Sequence, residues 1–185
     1  MANFLTSIRL LLVLPVAWAF ARPEFLPAAF LLGMILIAIL SDYFDGIVAR
    51  KTQSASANGQ LFDHTTDFLF VTAGLAGAAM AHQVTFILPI LIAIAFSQYV
   101  LDSYFLYRDK QLRMSFLGRW NGVFYFVPLV MIAIGRIDML GIVDGVLLAA
   151  ALYVSYALAI STVASIIDRA IAPLRTQPLQ DSQTC

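Results

Sequence analysis

Charged residues are scarce in this chain. Asp, Glu, Lys and Arg together make up 12% of its 185 residues, whereas soluble domains have about 25%. Hydrophobic residues make up 61% of the chain, and the mean hydropathy is +0.87. This composition excludes an ordinary soluble domain and predicts an integral membrane protein of a single domain.

Cysteine and net charge are lacking as well. The one cysteine, Cys185, is the last residue of the sequence, which excludes a disulfide framework. Eleven basic residues balance eleven acidic ones, so the overall charge does not indicate affinity for nucleic acid.

The N-terminal segment permits two interpretations. Arg9 precedes an apolar run from Leu10 to Val16, and Ala17-Trp18-Ala19 resembles the cleavage site of a signal peptide. The apolar segments further along the chain need a membrane in either case. We therefore interpret this segment as the first helix of the membrane domain.

The apolar runs predict an all-α membrane protein with six transmembrane helices, because a span takes about 20 mostly apolar residues. The connections are short, so neighbouring helices should be antiparallel. Residues 1–170 would form the membrane domain, and residues 171–185 a polar, disordered C-terminal tail. The predicted spans are Leu5–Ala21, Leu26–Asp45, Leu61–Ala81, Phe86–Leu106, Arg119–Ile134 and Ile142–Ile167.

The distribution of Lys and Arg predicts that both termini are cytoplasmic. With this orientation only Arg22 and Arg136 lie on the outer side. The acidic stretch described next would then face the cytoplasm, where nucleotides are found. The predicted cytoplasmic cations are Arg9, Arg50, Lys51, Arg108, Lys110, Arg113, Arg119, Arg169 and Arg175.

Four carboxylates lie within one short stretch of the chain. Asp42 and Asp45 are three residues apart on the second predicted helix, and Asp63 and Asp67 are four apart on the third. Each pair shares a helix face, and a short loop between antiparallel helices lets the two faces meet. Carboxylate oxygens are ligands that Mg²⁺ and Mn²⁺ prefer. The stretch therefore predicts a divalent metal site.

Small and basic residues follow the first acidic pair. Gly46 and Ala49 leave room for a bulky ligand, and Arg50 offers a cation suited to phosphate. Metal ligands beside small residues and an arginine favour a binding site for a diphosphate. Alternatives are helix caps, helix–helix contacts through the small residues, and an ion or proton pathway. Arg50 argues against the pathway, since a cation route gains nothing from an arginine beside its acids.

These residues resemble the signature of the CDP-alcohol phosphotransferase family. Every fixed position of that motif is filled, and the resemblance extends to the N-terminus and covers nearly all residues before the tail. The motif reads Asp42-x-x-Asp45-Gly46-x-x-Ala49-Arg50, then eight residues, then Gly59-x-x-x-Asp63-x-x-x-Asp67, and the start of the chain reads Asn3-x-x-Thr6-x-x-Arg9.

The resemblance implies a reaction and a set of roles. A phosphatidyl group moves from a CDP-linked lipid, usually CDP-diacylglycerol, to an alcohol, and CMP is released. Members are typically homodimers with two divalent ions, Mg²⁺ or Mn²⁺, in a cavity open to the cytoplasm. By residue, the implied metal ligands are Asp42, Asp45, Asp63 and Asp67, the implied base is Asp67, and the implied donor-binding residues are Asn3, Thr6, Gly46, Ala49, Arg50 and Ser56.

The acceptor is the least determined part of the prediction. Relatives that use glycerol phosphate or inositol phosphate have basic residues on the fourth helix, where this chain has Ser97, Gln98 and Asp102. Arg119 is the candidate that would bind an acceptor phosphate, with a membrane-edge anchor as its alternative role. We predict glycerol 3-phosphate as the acceptor.

Other acceptors and another class of protein stay open. Serine, inositol phosphate or an amino alcohol are the alternative acceptors, and Asp102 would suit an ammonium group if it faced the cavity. A membrane cation transporter or a non-catalytic metal-binding protein is the alternative outside the enzymes. His64 is either a neighbour of the metal ligands or an interfacial residue.

Overall fold

The computed structural model describes residues 2–52, 57–101, 116–137 and 142–175, and within these ranges every regular element is an α-helix. This confirms the all-α prediction. Tyr125 alone separates the fifth and sixth helices. The helices are α1 (Ala2–Ala21), α2 (Ala28–Thr52), α3 (Ala57–Met80), α4 (Ile87–Leu101), α5 (Phe116–Phe124), α6 (Phe126–Gly135) and α7 (Ile142–Arg175).

The turn between α3 and α4 has a residue in the left-handed conformation. His82 has a φ of 57°, and its backbone N–H donates to the carbonyl of Ala79 at 2.9 Å. The N–H of Gln83 donates to the carbonyl of Ala78, also at 2.9 Å. These two bonds form a Schellman motif, which satisfies carbonyls at the end of α3 and stops the helix there.

Close packing of α1 against α3 sets the positions of the functional residues on both helices. A Cβ placed on Gly77 would collide with the carbonyl of Ala17 and crowd Phe20, so glycine permits the approach of the two backbones. Phe20 and Leu75 are fully buried in the apolar core around this contact. The N-terminal half of α1 is thereby placed beside the first turns of α3.

Two helical segments are long and apolar enough to cross a membrane, Leu117–Gly135 and Gly145–Ile171, with 19 and 27 residues. Shorter apolar helices run through Thr6–Ala21, Ala28–Phe44 and Ile87–Leu101. Among the described residues, length and composition therefore support two of the six predicted spans. Helix α7 ends at Arg175, which lies inside the segment predicted as a tail, and residues 176–185 lie outside the described residues.

Arg136, directly after α6, ties three elements together. Its guanidinium donates to the carbonyls of Ala19 and Phe20 at the end of α1, both at 2.8 Å, and to Oε1 of Gln83. It also lies 5.4 Å from the centre of the Phe20 ring, a cation–π contact. Burial lowers the pKa of Arg136. The residue closes the C-terminal end of α1, whose last carbonyls have no partner within the helix.

Candidate active site

Two carboxylates and an imidazole meet on the first turns of α3. Ligand atoms of Asp63, His64 and Asp67 all lie within 4.8 Å of one another. Asp63 and Asp67 share a face because they are one helical turn apart, and His64 lies beside them. The side chains of Asp63 and Asp67 are 29% and 26% exposed, so they are reachable from outside the bundle.

Arg9 of α1 joins these acids to Asp42 of α2. One guanidinium nitrogen lies 3.3 Å from Oδ1 of Asp42, and another lies 3.3 Å from Oδ1 of Asp63. A third ion pair links Arg9 to Asp67. The Arg9 side chain is 0% exposed. Asp42, Asp63 and Asp67 thus converge at one place, as the spacing on two antiparallel helices predicts.

Thr6 belongs to the same cluster. Its hydroxyl donates to Oδ1 of Asp63 at 3.4 Å, and the residue is buried one helical turn before Arg9 on α1. The sequence motif of Thr6 and Arg9 therefore lies against the acidic motif of α3.

The remaining members of the predicted site fall outside the described side chains. Ser56 and Asp102 lie in the undescribed ranges. The helical backbone is described at the other positions, but no side-chain placement is: Asn3 on α1, and Asp45, Gly46, Ala49 and Arg50 on α2. Their predicted roles stay predictions.

A cavity of about 420 Å³ opens beside the acidic cluster. Asp42, His64 and Asp67 line it, together with Arg119 of α5. Asp67, the predicted base, and Arg119, the residue predicted to bind the phosphate of the acceptor, thus line the same cavity. Its apolar walls include Ile39, Phe68, Val71, Ile92, Phe96, Val123, Phe126 and Ile166.

Arg169 of α7 is a second cation in this cavity, and the sequence predicts for it only a positive charge on the cytoplasmic side. Its guanidinium carbon lies 4.9 Å from the centre of the Tyr99 ring, which fixes the cation against α4. Gln98 adds a further link between these helices, donating to the carbonyl of Ile166 at 3.3 Å. The available signal was an arginine just after the last predicted span, directly preceded by Asp168.

Two hydrogen bonds dock α5 and the Tyr125 junction on α7. Oγ of Ser161 donates to Oδ1 of Asn121 at 2.7 Å, and the hydroxyls of Tyr125 and Thr162 lie 2.8 Å apart. Asn121 and Thr162 are buried. These contacts hold the helix of Arg119 against the helix of Arg169, so both cations border the same cavity.

The donor set fits a divalent metal ion. Carboxylate oxygens are the ligands of Mg²⁺ and Mn²⁺, and imidazole is compatible with transition metals. Three carboxylates already converge on one positive charge, Arg9, so their orientation suits a cation. Asp63, His64 and Asp67 therefore form a candidate metal-binding group.

Comparison with known proteins identifies the family. One curated relative, a CDP-diacylglycerol–glycerol-3-phosphate 3-phosphatidyltransferase of Mycoplasma genitalium, is 30% identical over 100 residues, which cover 52% of this chain and 42% of the relative. No solved structure matches the chain. The family model for CDP-alcohol phosphatidyltransferases matches residues 1–169. This match confirms the resemblance noted in the sequence: the chain belongs to the CDP-alcohol phosphatidyltransferase family, a family of transferases.

Proposed function

We propose that the protein transfers a phosphatidyl group from CDP-diacylglycerol to an alcohol, with release of CMP, as a step of phospholipid biosynthesis. The acceptor we propose is glycerol 3-phosphate. Family membership supports the reaction class, and the activity for which the Mycoplasma genitalium relative is named supports the acceptor. The observation that carries the proposal is the cavity shared by Asp67, Arg119 and Arg169.

The transfer requires a base beside the acceptor hydroxyl, and we assign this role to Asp67. Its carboxylate accepts the hydroxyl proton while the hydroxyl oxygen forms a bond to the phosphatidyl phosphorus. The bond between that phosphorus and the bridging oxygen of the diphosphate breaks, and CMP leaves with the electron pair. Asp67 lines the cavity, whereas Asp63 is the carboxylate that both Arg9 and Thr6 contact.

The metal ligands we propose are Asp42, Asp45, Asp63 and Asp67, holding two ions of Mg²⁺ or Mn²⁺. When bound, such ions would neutralise the diphosphate and stabilise the departing CMP. The candidate metal-binding group on α3 supports this assignment for Asp63 and Asp67, and the ion pair with Arg9 places Asp42 beside them.

The donor site follows from the family motif. Arg50 would bind the diphosphate through its planar guanidinium, and Gly46 and Ala49 would leave room for the cytidine. Asn3, Thr6 and Ser56 are the further candidates for contact with the nucleotide. The position of Thr6 beside Asp63 supports its inclusion.

The acceptor site is the part of the cavity bordered by arginines. Arg119 and Arg169 supply two positive charges to the cavity that Asp67 also lines, which suits an acceptor with a hydroxyl at one end and a phosphate at the other. The absence of a basic residue on the described part of α4 is thereby compensated from α5 and α7.

The protein would act as a homodimer in the membrane, with six spans and both termini in the cytoplasm. Two segments of spanning length support the spans, and the Lys and Arg distribution supports the orientation. The homodimer is what the family resemblance implies. A tag fused after Cys185 should be protected from protease in intact cells. Its digestion by protease added outside would contradict the proposed orientation.

The proposed reaction can be tested with the purified full chain, CDP-diacylglycerol, Mn²⁺ and separate acceptors, with CMP release as the readout. We expect glycerol 3-phosphate to give the highest kcat/KM among glycerol 3-phosphate, serine, inositol phosphate and ethanolamine. A higher value for another acceptor would contradict the acceptor assignment alone. No CMP release with any acceptor, together with Mn²⁺ uptake into proteoliposomes, would favour a transporter.

A further inference from the structure

Arg9 is a fully buried cation placed behind the acidic cluster. Its side chain is 0% exposed, whereas that of Asp42 is 48% exposed. Asp42 and Asp67 line the cavity, and Arg9 is not among its lining residues. Asp42 and Asp67 therefore contact both the guanidinium and the cavity, so a metal ion could reach these two carboxylates from the cavity while Arg9 stays in place.

The contacts of Arg9 explain why a charge is tolerated at this depth. Burial of an unpaired cation is strongly unfavourable, and Arg9 is paired with Asp42, Asp63 and Asp67. The packing of α1 on α3 at Gly77 holds the two helices together independently of these ion pairs. The positions of the carboxylates thus depend on the helix backbones as well as on the guanidinium.

The positive charge of Arg9 alters the net charge of the proposed metal site. The four aspartates of the motif would by themselves neutralise two divalent cations. Arg9 adds one positive charge that these carboxylates do not balance, and it lies within 3.3 Å of two of them. A diphosphate diester carries one negative charge on each phosphate, two in all, and would more than offset this one positive charge. At such distances and at low dielectric, one unit charge has a large effect on binding of another ion.

We propose that Arg9 is a resident counter-cation that weakens divalent metal binding in the absence of the donor and so couples metal binding to the diphosphate of the donor. The inference rests on the proposed function, since it concerns the metal site of that reaction. Arg9 acts through the carboxylates that it contacts and is a positioning residue. The full metal complement is then reached when the CDP-linked lipid is bound.

The test measures Mn²⁺ binding to the purified full chain in detergent, by the electron paramagnetic resonance of free Mn²⁺, with and without saturating CDP. For the unaltered protein we expect CDP to tighten binding of the weaker Mn²⁺ ion at least about tenfold, which corresponds to about 1.4 kcal/mol. Arg9→Gln keeps a hydrogen-bond donor and removes the charge. It should bind Mn²⁺ about tenfold tighter without CDP, and CDP should then change its affinity less than about threefold.

Two further variants separate charge from structure. Arg9→Lys keeps the charge and should retain most of the tightening by CDP. Arg22→Met removes a cation that lies just past the other end of α1, over the ring of Trp18, and should bind Mn²⁺ as the unaltered protein does. Equal CDP effects in Arg9→Gln and the unaltered protein would overturn the inference, as would equal losses in Arg9→Lys and Arg9→Gln.

The outcomes also distinguish this inference from the proposed function. Mn²⁺ binding that is insensitive to CDP, together with Mn²⁺-dependent CMP release, would overturn the role of Arg9 and leave the reaction intact. Absence of Mn²⁺ binding under both conditions would overturn both. If Arg9→Gln does not fold, the test uses the unaltered protein alone. An increase in its Mn²⁺ affinity of less than about threefold on addition of CDP would overturn the coupling.

Discussion

Two arginines at opposite ends of α1 have different surroundings. Arg9 contacts three carboxylates, whereas Arg136 contacts two backbone carbonyls, an amide oxygen and an aromatic ring. The contacts of Arg136 satisfy groups that any helix end leaves unpaired. The contacts of Arg9 involve three acids, two of which line the cavity.

The contacts of the two arginines distinguish a structural cation from a functional one. An arginine that binds carbonyls stabilises the fold and should matter equally with or without substrate. An arginine that binds a cluster of acids beside a cavity affects whatever else those acids bind. Substitutions around Arg9 should therefore change ligand binding and turnover, and substitutions around Arg136 should change unfolding.

The largest effect, a loss of turnover, is expected for substitutions in the acidic cluster around Arg9. Asp67→Asn keeps the size of the side chain but cannot accept the acceptor proton. CMP release should fall by about 10²- to 10⁴-fold, the usual loss for a positioned base. Affinity for CDP-diacylglycerol should be retained better than turnover, because Asp42 and Asp63 remain in place.

Asp42→Asn is the matched control for this prediction. It should weaken donor and metal binding together, because Asp42 is proposed as a metal ligand and not as a base. Near-normal turnover in Asp67→Asn would contradict the assignment of the base. Loss of donor binding in Asp67→Asn as complete as that in Asp42→Asn would contradict it too.

At the C-terminal end of α1, a substitution of Arg136 should lower the stability of the protein and leave its rate of CMP release unchanged. Arg136→Met leaves the carbonyls of Ala19 and Phe20 and the amide of Gln83 without their donor. We expect the free energy of unfolding to fall by about 3 kcal/mol. The measurement is unfolding in detergent, with CMP release per folded molecule measured in parallel. A normal unfolding free energy, or a kcat lowered at a temperature where the protein is folded, would contradict the structural role.

Much of the helical framework could be predicted from the sequence, because apolar runs and their polar interruptions determine helix bounds. The second predicted span, Leu26–Asp45, lies almost entirely within α2, which extends to Thr52. The convergence of Asp42, Asp63 and Asp67 could also be predicted, since spacing within a helix and one short loop determine it.

The functions of Arg9 and Arg169 could not be predicted from spacing alone. Whether a residue near a helix end faces a cavity, lipid or solvent depends on how the helices rotate against one another. The face of α7 that carries Arg169 is set by contacts such as Ser161 with Asn121 and Thr162 with Tyr125. Such pairings join residues far apart in the chain and leave no periodic signal in either segment.

An intermediate effect is expected for the cations on the acceptor side of the cavity. Arg119→Met and Arg169→Met should each raise KM for glycerol 3-phosphate by about tenfold, since a hydrogen bond to a charged group contributes roughly 1.5–3 kcal/mol. KM for CDP-diacylglycerol should be unchanged. The measurement is steady-state CMP release with each substrate varied in turn. An unchanged KM for glycerol 3-phosphate in either variant would remove that arginine from the acceptor site.

The smallest effect on stability is expected for the contact between Tyr125 and Thr162, which involves neither Arg9 nor Arg136. Tyr125→Phe removes a hydrogen bond of 2.8 Å and keeps the ring. Hydrogen bonds between membrane helices contribute about 0.6 kcal/mol on average, so the loss of stability should be near that value. A double-mutant cycle with Thr162→Val checks the pairing, and additive effects of the two substitutions would contradict it.

Metal dependence of CMP release tests the central claim most directly, because the acidic end of α1, α2 and α3 is proposed as a metal-assisted catalytic centre. The purified full chain is assayed with CDP-diacylglycerol and glycerol 3-phosphate, first with excess chelator and then after addition of Mn²⁺ or Mg²⁺. We predict no CMP release above background in chelator and full recovery on addition of either ion. Full activity in excess chelator would contradict the account.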